Sequence, residues 1–223
     1  MPFYQSTYHS RIFRDFKEID AANYRRVIRF YEDKEEEIKR LDFEEYFELI
    51  TAYVNALFEV GAYQKHLLMV DVVIEMVIVH NVEVYKGEDI FQKMLFRKAA
   101  SLYNIMEYGK AEYILRELIK IDPYCEDFIL FLRKCLRKKE PGFLNKAKAA
   151  SILLFLLSAF VISVEVLFIR PFYKAHVDAV EASRTAIFLL GCTVLLGGTL
   201  LHGWLVQRRV HLFVEKTRNS KYY

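Results

Sequence analysis

Proline and glycine are scarce in this chain of 223 residues, which contains 4 prolines and 8 glycines. Both residue types mark turns and loops, and a fold built from many short strands needs them often. Their scarcity argues against a β-sandwich or a β-barrel and favours long helices. The chain is long enough for one domain with additional segments.

Cysteine is equally sparse. The 3 cysteines, Cys125, Cys135 and Cys192, are an odd number and form no Cys-x-x-Cys pair. A disulfide framework needs paired cysteines, and a common zinc site needs closely spaced Cys or His ligands. We therefore expect free thiols in a reducing compartment, without a metal or any other cofactor.

Familiar catalytic motifs are missing as well. The sequence has no phosphate-binding loop, no dinucleotide glycine fingerprint, no His-Glu-x-x-His and no Gly-x-Ser-x-Gly. Arg170 and His176 have the spacing found in helical RNA-cleaving HEPN domains, but Pro171 directly follows the arginine. Asp71 and Glu75 share a helical face, yet no third ligand joins them at helical spacing. We therefore do not expect an enzyme.

Apolar residues are abundant by contrast, at 54% of the chain with a mean hydropathy of +0.10. They concentrate in two runs: residues 149–169 contain Glu165 as their one charge, and residues 185–206 contain no Asp, Glu, Lys or Arg. About 20 helical residues cross the hydrocarbon core of a bilayer. A core helix of a soluble protein has a polar face, and neither run has one over its middle. Both runs therefore predict membrane-spanning helices.

The predicted order is a first transmembrane helix over 149–169, a short external loop over 170–184, a second transmembrane helix over 185–207 and a basic cytoplasmic tail over 208–223. Residues 133–148 hold seven Lys or Arg, the loop three and the tail five. Because basic residues favour the cytoplasmic side, both termini are expected in the cytoplasm, at a bacterial inner membrane. The predicted contacts to anionic lipid are Arg137, Lys138, Lys139, Lys146, Lys148, Arg208 and Arg209.

Glu165 is the one carboxylate within the apolar runs. It lies five residues before Arg170, near the outer end, where a charge costs less than at the bilayer centre. Two interpretations stay open. The side chain either reaches the outer headgroups beside Arg170 or Arg184, or makes a polar contact between helices or subunits, of which the lining of a pore is one form.

Small residues in the second run leave little side chain on part of its surface. Thr193 and Gly197 form a small-xxx-small pair, which allows close helix approach. Packing within one hairpin and self-association of chains both remain open. The residues expected to make polar or close contacts in the runs are Glu165, Gly191, Gly197, Gly198 and His202.

The first two-thirds of the chain predict a helical domain over 20–140 after an irregular segment over 1–19. Residues 1–16 carry no apolar run, so no secretory signal is expected there. Basic and aromatic residues are too thinly spread in this stretch to predict nucleic-acid binding. Asp42, with Glu45 three residues later, has capping-box spacing. The expected helices cover 21–40, 43–60, 63–79, 90–107, 110–121 and 126–139, with a loop over 81–89.

Residues 95–123 resemble one tetratricopeptide repeat. Tyr108 stands in the turn, Ala111 at the close helix crossing, and Leu115 and Leu118 on the second helix, and Pro123 ends the repeat. A more degenerate match, at Gly61 and Tyr63, lies 45 residues upstream, with His66 where the family has a small residue.

The resemblance implies paired antiparallel helices that stack and form a groove for peptides or other proteins. The predicted fold is therefore all-α, with an antiparallel, tetratricopeptide-like cytoplasmic domain followed by a two-helix transmembrane hairpin. The expected function is a membrane-anchored adaptor or scaffold that binds an unknown protein and contacts the lipid bilayer. The alternatives are a small oligomeric pore-forming or membrane-perturbing effector and an accessory subunit of a membrane complex.

Overall fold

The computed structural model describes residues 10–139, 142–169 and 177–220. The described chain is all-α apart from one two-stranded hairpin. It divides into two compact units, Met1–Phe131 and Leu132–Tyr223, here named the helical unit and the hairpin unit.

The helical unit contains seven helices within its described residues, and an eighth helix continues across the boundary between the units. These elements are α1 (Arg11–Lys17), α2 (Tyr24–Asp33), α3 (Glu35–Ile38), α4 (Phe43–Glu59), α5 (Tyr63–Val79), β1 (Val84–Tyr85), β2 (Glu88–Asp89), α6 (Ile90–Asn104), α7 (Tyr108–Ile121) and α8 (Glu126–Lys139). Consecutive helices from α4 to α7 pack against each other as antiparallel neighbours, an arrangement compatible with a helical repeat domain.

The core of the helical unit forms where α4, α5 and α6 meet. The expected apolar stripe of α4 is confirmed, because Phe47, Ile50 and Val54 are fully buried. From α5 the core takes Val70 and Val73, while Asp71 and Glu75 lie on the exposed edge of that helix. Each large apolar side chain buried here contributes about 1.5–3 kcal/mol relative to its exposed state.

Three successive helices end with the same backbone motif. Gly61, Asn81 and Met106, which follow α4, α5 and α6, all have positive φ, at 78°, 50° and 67°. After α4, the N–H of Ala62 donates to the carbonyl oxygen of Leu57 and that of Gly61 to Phe58, and equivalent pairs follow α5 and α6. This Schellman arrangement satisfies carbonyls at the helix end and turns the chain back, so each helix meets its successor antiparallel.

The loop expected over 81–89 contains a β-hairpin. Val84 pairs with Asp89, and Tyr85 pairs with Glu88. The two residues between the strands, Lys86 and Gly87, both have positive φ, which is the conformation of a type I′ turn. Two residues per strand carry too short an alternating pattern to be recognised in the sequence.

Four other local features differ from the expected secondary structure. The helix expected over 21–40 breaks at Lys34, which has φ −116° and separates α2 from α3. Part of the segment expected to be irregular, over 1–19, forms α1, whose first turn is capped by the side chain of Ser10. Asp42 makes no side-chain cap, and Glu45 accepts a hydrogen bond from the N–H of Ser10 instead. Residues 177–184, expected in the external loop, are helical.

The hairpin unit is built from two long helices. These are α9 (Gly142–Val164), extended by a π-helical turn (Glu165–Ile169), and α10 (Val177–Ser220). The two helices pack against each other along their length, and both are long and apolar enough to cross a membrane. With 44 residues, α10 is about 66 Å long, so it continues well beyond the predicted span over 185–207 and includes most of the expected tail.

Candidate membrane anchor and interaction surface

Polar residues on α9 face inward at seven-residue steps. Ser151, Ser158 and Glu165 are all buried, Glu165 completely. A seven-residue spacing keeps side chains on one seam of a pair of packed helices. The inner side of this helix and its π-helical extension therefore carries a line of three buried polar residues.

The facing seam of α10 is built from Arg184, Gly191 and Gly198, which are also seven residues apart. A Cβ atom added to Gly191 would lie 2.7 Å from the ring of Phe155, and one added to Gly198 would lie 2.5 Å from the Cβ of Ala147. A larger residue at Gly191 would have to displace the Phe155 ring, and one at Gly198 would meet a Cβ atom that is fixed to the backbone of α9. These two glycines therefore permit the close approach of α9 and α10.

Glu165 and Arg184 form an ion pair between the two helices. The guanidinium of Arg184 donates to Glu165 Oε2 at 3.0 Å, and a second nitrogen of the same group lies 3.4 Å from Glu181. The hydroxyl of Ser158 donates to the carbonyl oxygen of Arg184 at 3.5 Å. The carboxylate is thus held between the helices by Arg184, a partner also expected for a side chain at the outer headgroups, so both interpretations of Glu165 stay open.

The other small and polar residues of α10 have different surroundings. Gly197 has open space where a Cβ would be added, and Thr193 is exposed, so this pair lies on the outward face. His202 is buried, and its Nε2 has no hydrogen-bond partner among the described residues. Val206 and Val210 continue the buried stripe of His202 at four-residue steps.

The outward surface of both long helices is apolar. Within the most hydrophobic 18-residue window of each helix, only 11% of α9 and 17% of α10 is buried. The core helix of a soluble protein is mostly buried, so this hairpin has the opposite polarity, polar inside and apolar outside. The exposed large side chains include Ile152, Leu153, Leu156, Phe160, Phe188, Leu189, Leu196, Leu200 and Trp204.

Cationic side chains flank the apolar surface. The seven predicted lipid contacts, from Arg137 to Arg209, are all exposed. The guanidinium of Arg208 lies 5.3 Å from the ring centre of Trp204, one turn earlier on α10. An indole beside a cation at the end of an apolar run is typical of a membrane–water interface.

The residues that carry the resemblance to a tetratricopeptide repeat pack between α6 and α7. Ala111, Leu115 and Leu118 are fully buried, and Pro123 is buried after the end of α7. Tyr108 is half-buried, with its ring edge-on to Tyr103 at 5.3 Å.

His66 occupies the position where the repeat family has a small residue. It is fully buried between α5 and α6, with Nδ1 2.9 Å from the hydroxyl of Ser101. Burial, with a smaller effect from the nearby Arg97, lowers the pKa of His66 to about 4. The neutral imidazole therefore joins two helices within the core.

The outer surface of α5 exposes large apolar side chains. Leu68 and Ile78 are 74% and 62% exposed, and they lie on one helix face with Asp71 and Glu75. We name these four residues the α5 face. Asp71 also accepts a 2.5 Å hydrogen bond from Lys98 of α6.

No three His, Cys, Asp or Glu side chains in the described ranges come together in a way that could hold a metal ion. Arg170 and His176, which have the spacing of RNA-cleaving domains, lie outside the described residues.

The inward residues Ser151 and Ser158 were missed in the sequence, although the shared seven-residue spacing could have identified them. No protein-family model, no curated protein and no solved structure matches this chain.

Proposed function

We propose that this chain is a membrane-anchored protein-interaction module. In this proposal α9 and α10 insert as a transmembrane hairpin, and the helical unit binds a protein partner on the cytoplasmic side. The observation that carries the proposal is the reversed polarity of the hairpin, which is apolar outside and polar along its inner seam.

The apolar outer surface supports insertion into lipid. A soluble protein rarely exposes a contiguous apolar patch larger than a few hundred Å². Each exposed large side chain would also gain about 1.5–3 kcal/mol from leaving water. A bilayer provides that environment along the whole length of both apolar runs.

The ion pair of Glu165 and Arg184 supports an anchor over a pore. A charge in the bilayer costs at least a few kcal/mol when it has no partner. Here the carboxylate is fully buried against a guanidinium of the same chain. A pore-lining carboxylate would instead point towards a water-filled path between subunits.

The α5 face supports a protein partner for the helical unit. Stacked antiparallel helices bury their inner faces and leave their outer faces for binding. Leu68 and Ile78 expose most of their surface beside two carboxylates. Apolar anchors within a polar rim are typical of binding surfaces between proteins.

Two matched pairs of substitutions separate anchoring from partner binding. Leu196 and Leu200 of α10 are 62% and 73% exposed, close to the 74% and 62% of Leu68 and Ile78. Replacing both leucines of α10 by lysine should release the chain from membranes during alkaline carbonate extraction. The same replacement of Leu68 and Ile78 should leave the chain in the membrane fraction. If the chain with lysine at both positions 196 and 200 stays in the membrane fraction, the anchor proposal is wrong.

Partner binding is tested by photo-crosslinking in cells that express the full chain. A benzophenone amino acid at position 75, within the α5 face, should give one adduct of defined mass. That adduct should disappear when Leu68 and Ile78 become lysine. Position 36 serves as the control because Glu36 is 81% exposed on α3. Equal adducts at both positions, or none at position 75, would exclude the α5 face as the binding surface.

A further inference from the structure

A cavity of about 330 Å³ lies in the helical unit, between α1, α2, α4 and the beginning of α6. This volume falls at the lower end of the range for small-molecule sites. Much of its wall is apolar and comes from different elements, including Ile19, Val27, Ala52, Ala56 and Ile90. The α5 face contributes nothing to this wall, so a ligand here would be separate from the proposed protein partner.

Lysines line the solvent-exposed edge of the cavity. Lys17 and Lys86 donate to the same carboxylate, that of Glu48, at 2.6 and 3.1 Å. Lys93 also lines the cavity and pairs with Glu88. Lys93 is balanced by Glu88, whereas Lys17 and Lys86 share the single carboxylate of Glu48. One positive charge is therefore left in excess, which favours an anionic ligand group at this edge.

The inner wall carries two polar atoms that lack partners. Thr51 Oγ1 and Asn55 Oδ1 are buried and have no hydrogen-bond partner within the described ranges, and Thr51 is only 1% exposed. Both residues line the cavity from α4, one turn apart. A buried polar atom without a partner costs about 1–3 kcal/mol. Because Asn55 Oδ1 can only accept, a ligand that satisfies it must bring a donor.

The spacing along α4 relates the lysine-lined edge of the cavity to the inner acceptor, Asn55 Oδ1. Glu48, which holds both lysines, and Asn55 are seven residues apart, so they share a helix face and lie about 10.5 Å apart along its axis. Aromatic rings of Phe16, Tyr24 and Tyr85 also belong to the lining. A fitting ligand therefore has an anionic group, a flat body and a donor, in that order.

We propose that this cavity binds a purine mononucleotide that carries an amino group. Its phosphate contacts Lys17 and Lys86, its purine ring packs among the apolar and aromatic side chains, and its amino group donates to Asn55 Oδ1. The ribose hydroxyls supply a partner for Thr51. An extended mononucleotide is long enough to reach from Lys17 and Lys86 to Asn55. This site is independent of the anchor and of the α5 face.

The test uses the full chain reconstituted in nanodiscs and isothermal titration with three probes. AMP carries both the phosphate and the amino group, adenosine lacks the phosphate, and purine riboside 5′-monophosphate lacks the amino group and has no other donor on that edge of the ring. We expect AMP to bind, and adenosine and purine riboside 5′-monophosphate to bind at least about tenfold more weakly. If AMP gives no binding at millimolar concentration, or if the three probes bind alike, the proposal is overturned.

Variants identify the site. Lys86→Gln should weaken AMP binding by about tenfold while leaving adenosine unchanged, because the substitution removes only a phosphate contact. Lys65→Gln is the matched control, since Lys65 is similarly exposed and pairs with Glu32 outside the cavity. Asn55→Leu should reduce the affinity for AMP to that of purine riboside 5′-monophosphate. Equal AMP affinities for the Lys86 and Lys65 variants would exclude this cavity as the site, even if Asn55→Leu fails to fold.

Discussion

At the scale of single residues, His66 links the stability of the helical unit to pH. Its pKa of about 4 lies below the ordinary value of 6.5, mainly because burial disfavours the charged imidazolium. Between pH 6.5 and 4 the unfolded chain therefore binds a proton that the folded chain does not. The contribution of His66 is fully present above pH 6.5 and is lost as pH falls towards 4, by up to about 3 kcal/mol.

Hydrogen exchange of the α5 and α6 amides in the full chain should measure this loss. The free energy of opening should fall between pH 6.5 and 4 in the native chain. In His66→Gln the free energy of opening should change less with pH over this interval, because Gln does not titrate. Identical slopes in the two chains would mean that another group controls the acid response.

The ion pair of Glu165 and Arg184 gives a second prediction at this scale. Arg184→Met removes the guanidinium 3.0 Å from a fully buried carboxylate, which should cost roughly 3–5 kcal/mol of hairpin stability. Glu165→Leu combined with Arg184→Met should recover much of that loss, since no charge is left buried. Thermal unfolding in a fixed detergent compares Arg184→Met alone and Glu165→Leu alone with the double variant. Additive losses would show that the pair is not energetically coupled.

At the scale of elements, the packing of α9 against α10 depends on which glycine faces inward. Gly191 lies against Phe155, whereas Gly197 has open space at its Cβ position. Gly191→Leu should therefore separate the helices and destabilise the hairpin by roughly 1–3 kcal/mol, as overpacking usually does. Gly197→Leu is the matched control and should leave thermal unfolding of the solubilised monomer unchanged. A larger loss of thermal stability for Gly197→Leu than for Gly191→Leu would instead indicate that the outward face is an interface between chains.

Local periodicity predicted elements better than it predicted their ends. The stripe of Phe47, Ile50 and Val54 identified α4 because every third or fourth residue of a helix shares a face. The break at Lys34 was not visible, since no proline or glycine marks it and the surrounding residues are good helix formers. Glu45 was assigned to a capping box, but its carboxylate accepts a hydrogen bond from the N–H of Ser10, 35 residues earlier in the chain.

At the scale of the whole molecule, the oligomeric state separates an anchor from a pore. The inward polar groups Glu165 and Arg184 pair within a single hairpin, so insertion needs no second chain to neutralise them. We therefore expect a monomer or dimer in nanodiscs, by light scattering corrected for bound lipid. A ring of about six or more chains would contradict the anchor and favour a pore, with ion flux through Glu165 variants as the next measurement.

The sequence alone determined that two helices are long and apolar enough to cross a membrane and that the preceding residues are helical. The antiparallel packing of those preceding helices was only implied by the resemblance to a tetratricopeptide repeat. Length, composition and helical periodicity are properties of neighbouring residues and can be read along the chain. Only the tertiary structure decided that Gly191 and not Gly197 faces α9, that Arg184 pairs with Glu165, and that Thr51 and Asn55 line a cavity. Those facts depend on the register between segments that are distant in sequence, which no local pattern encodes.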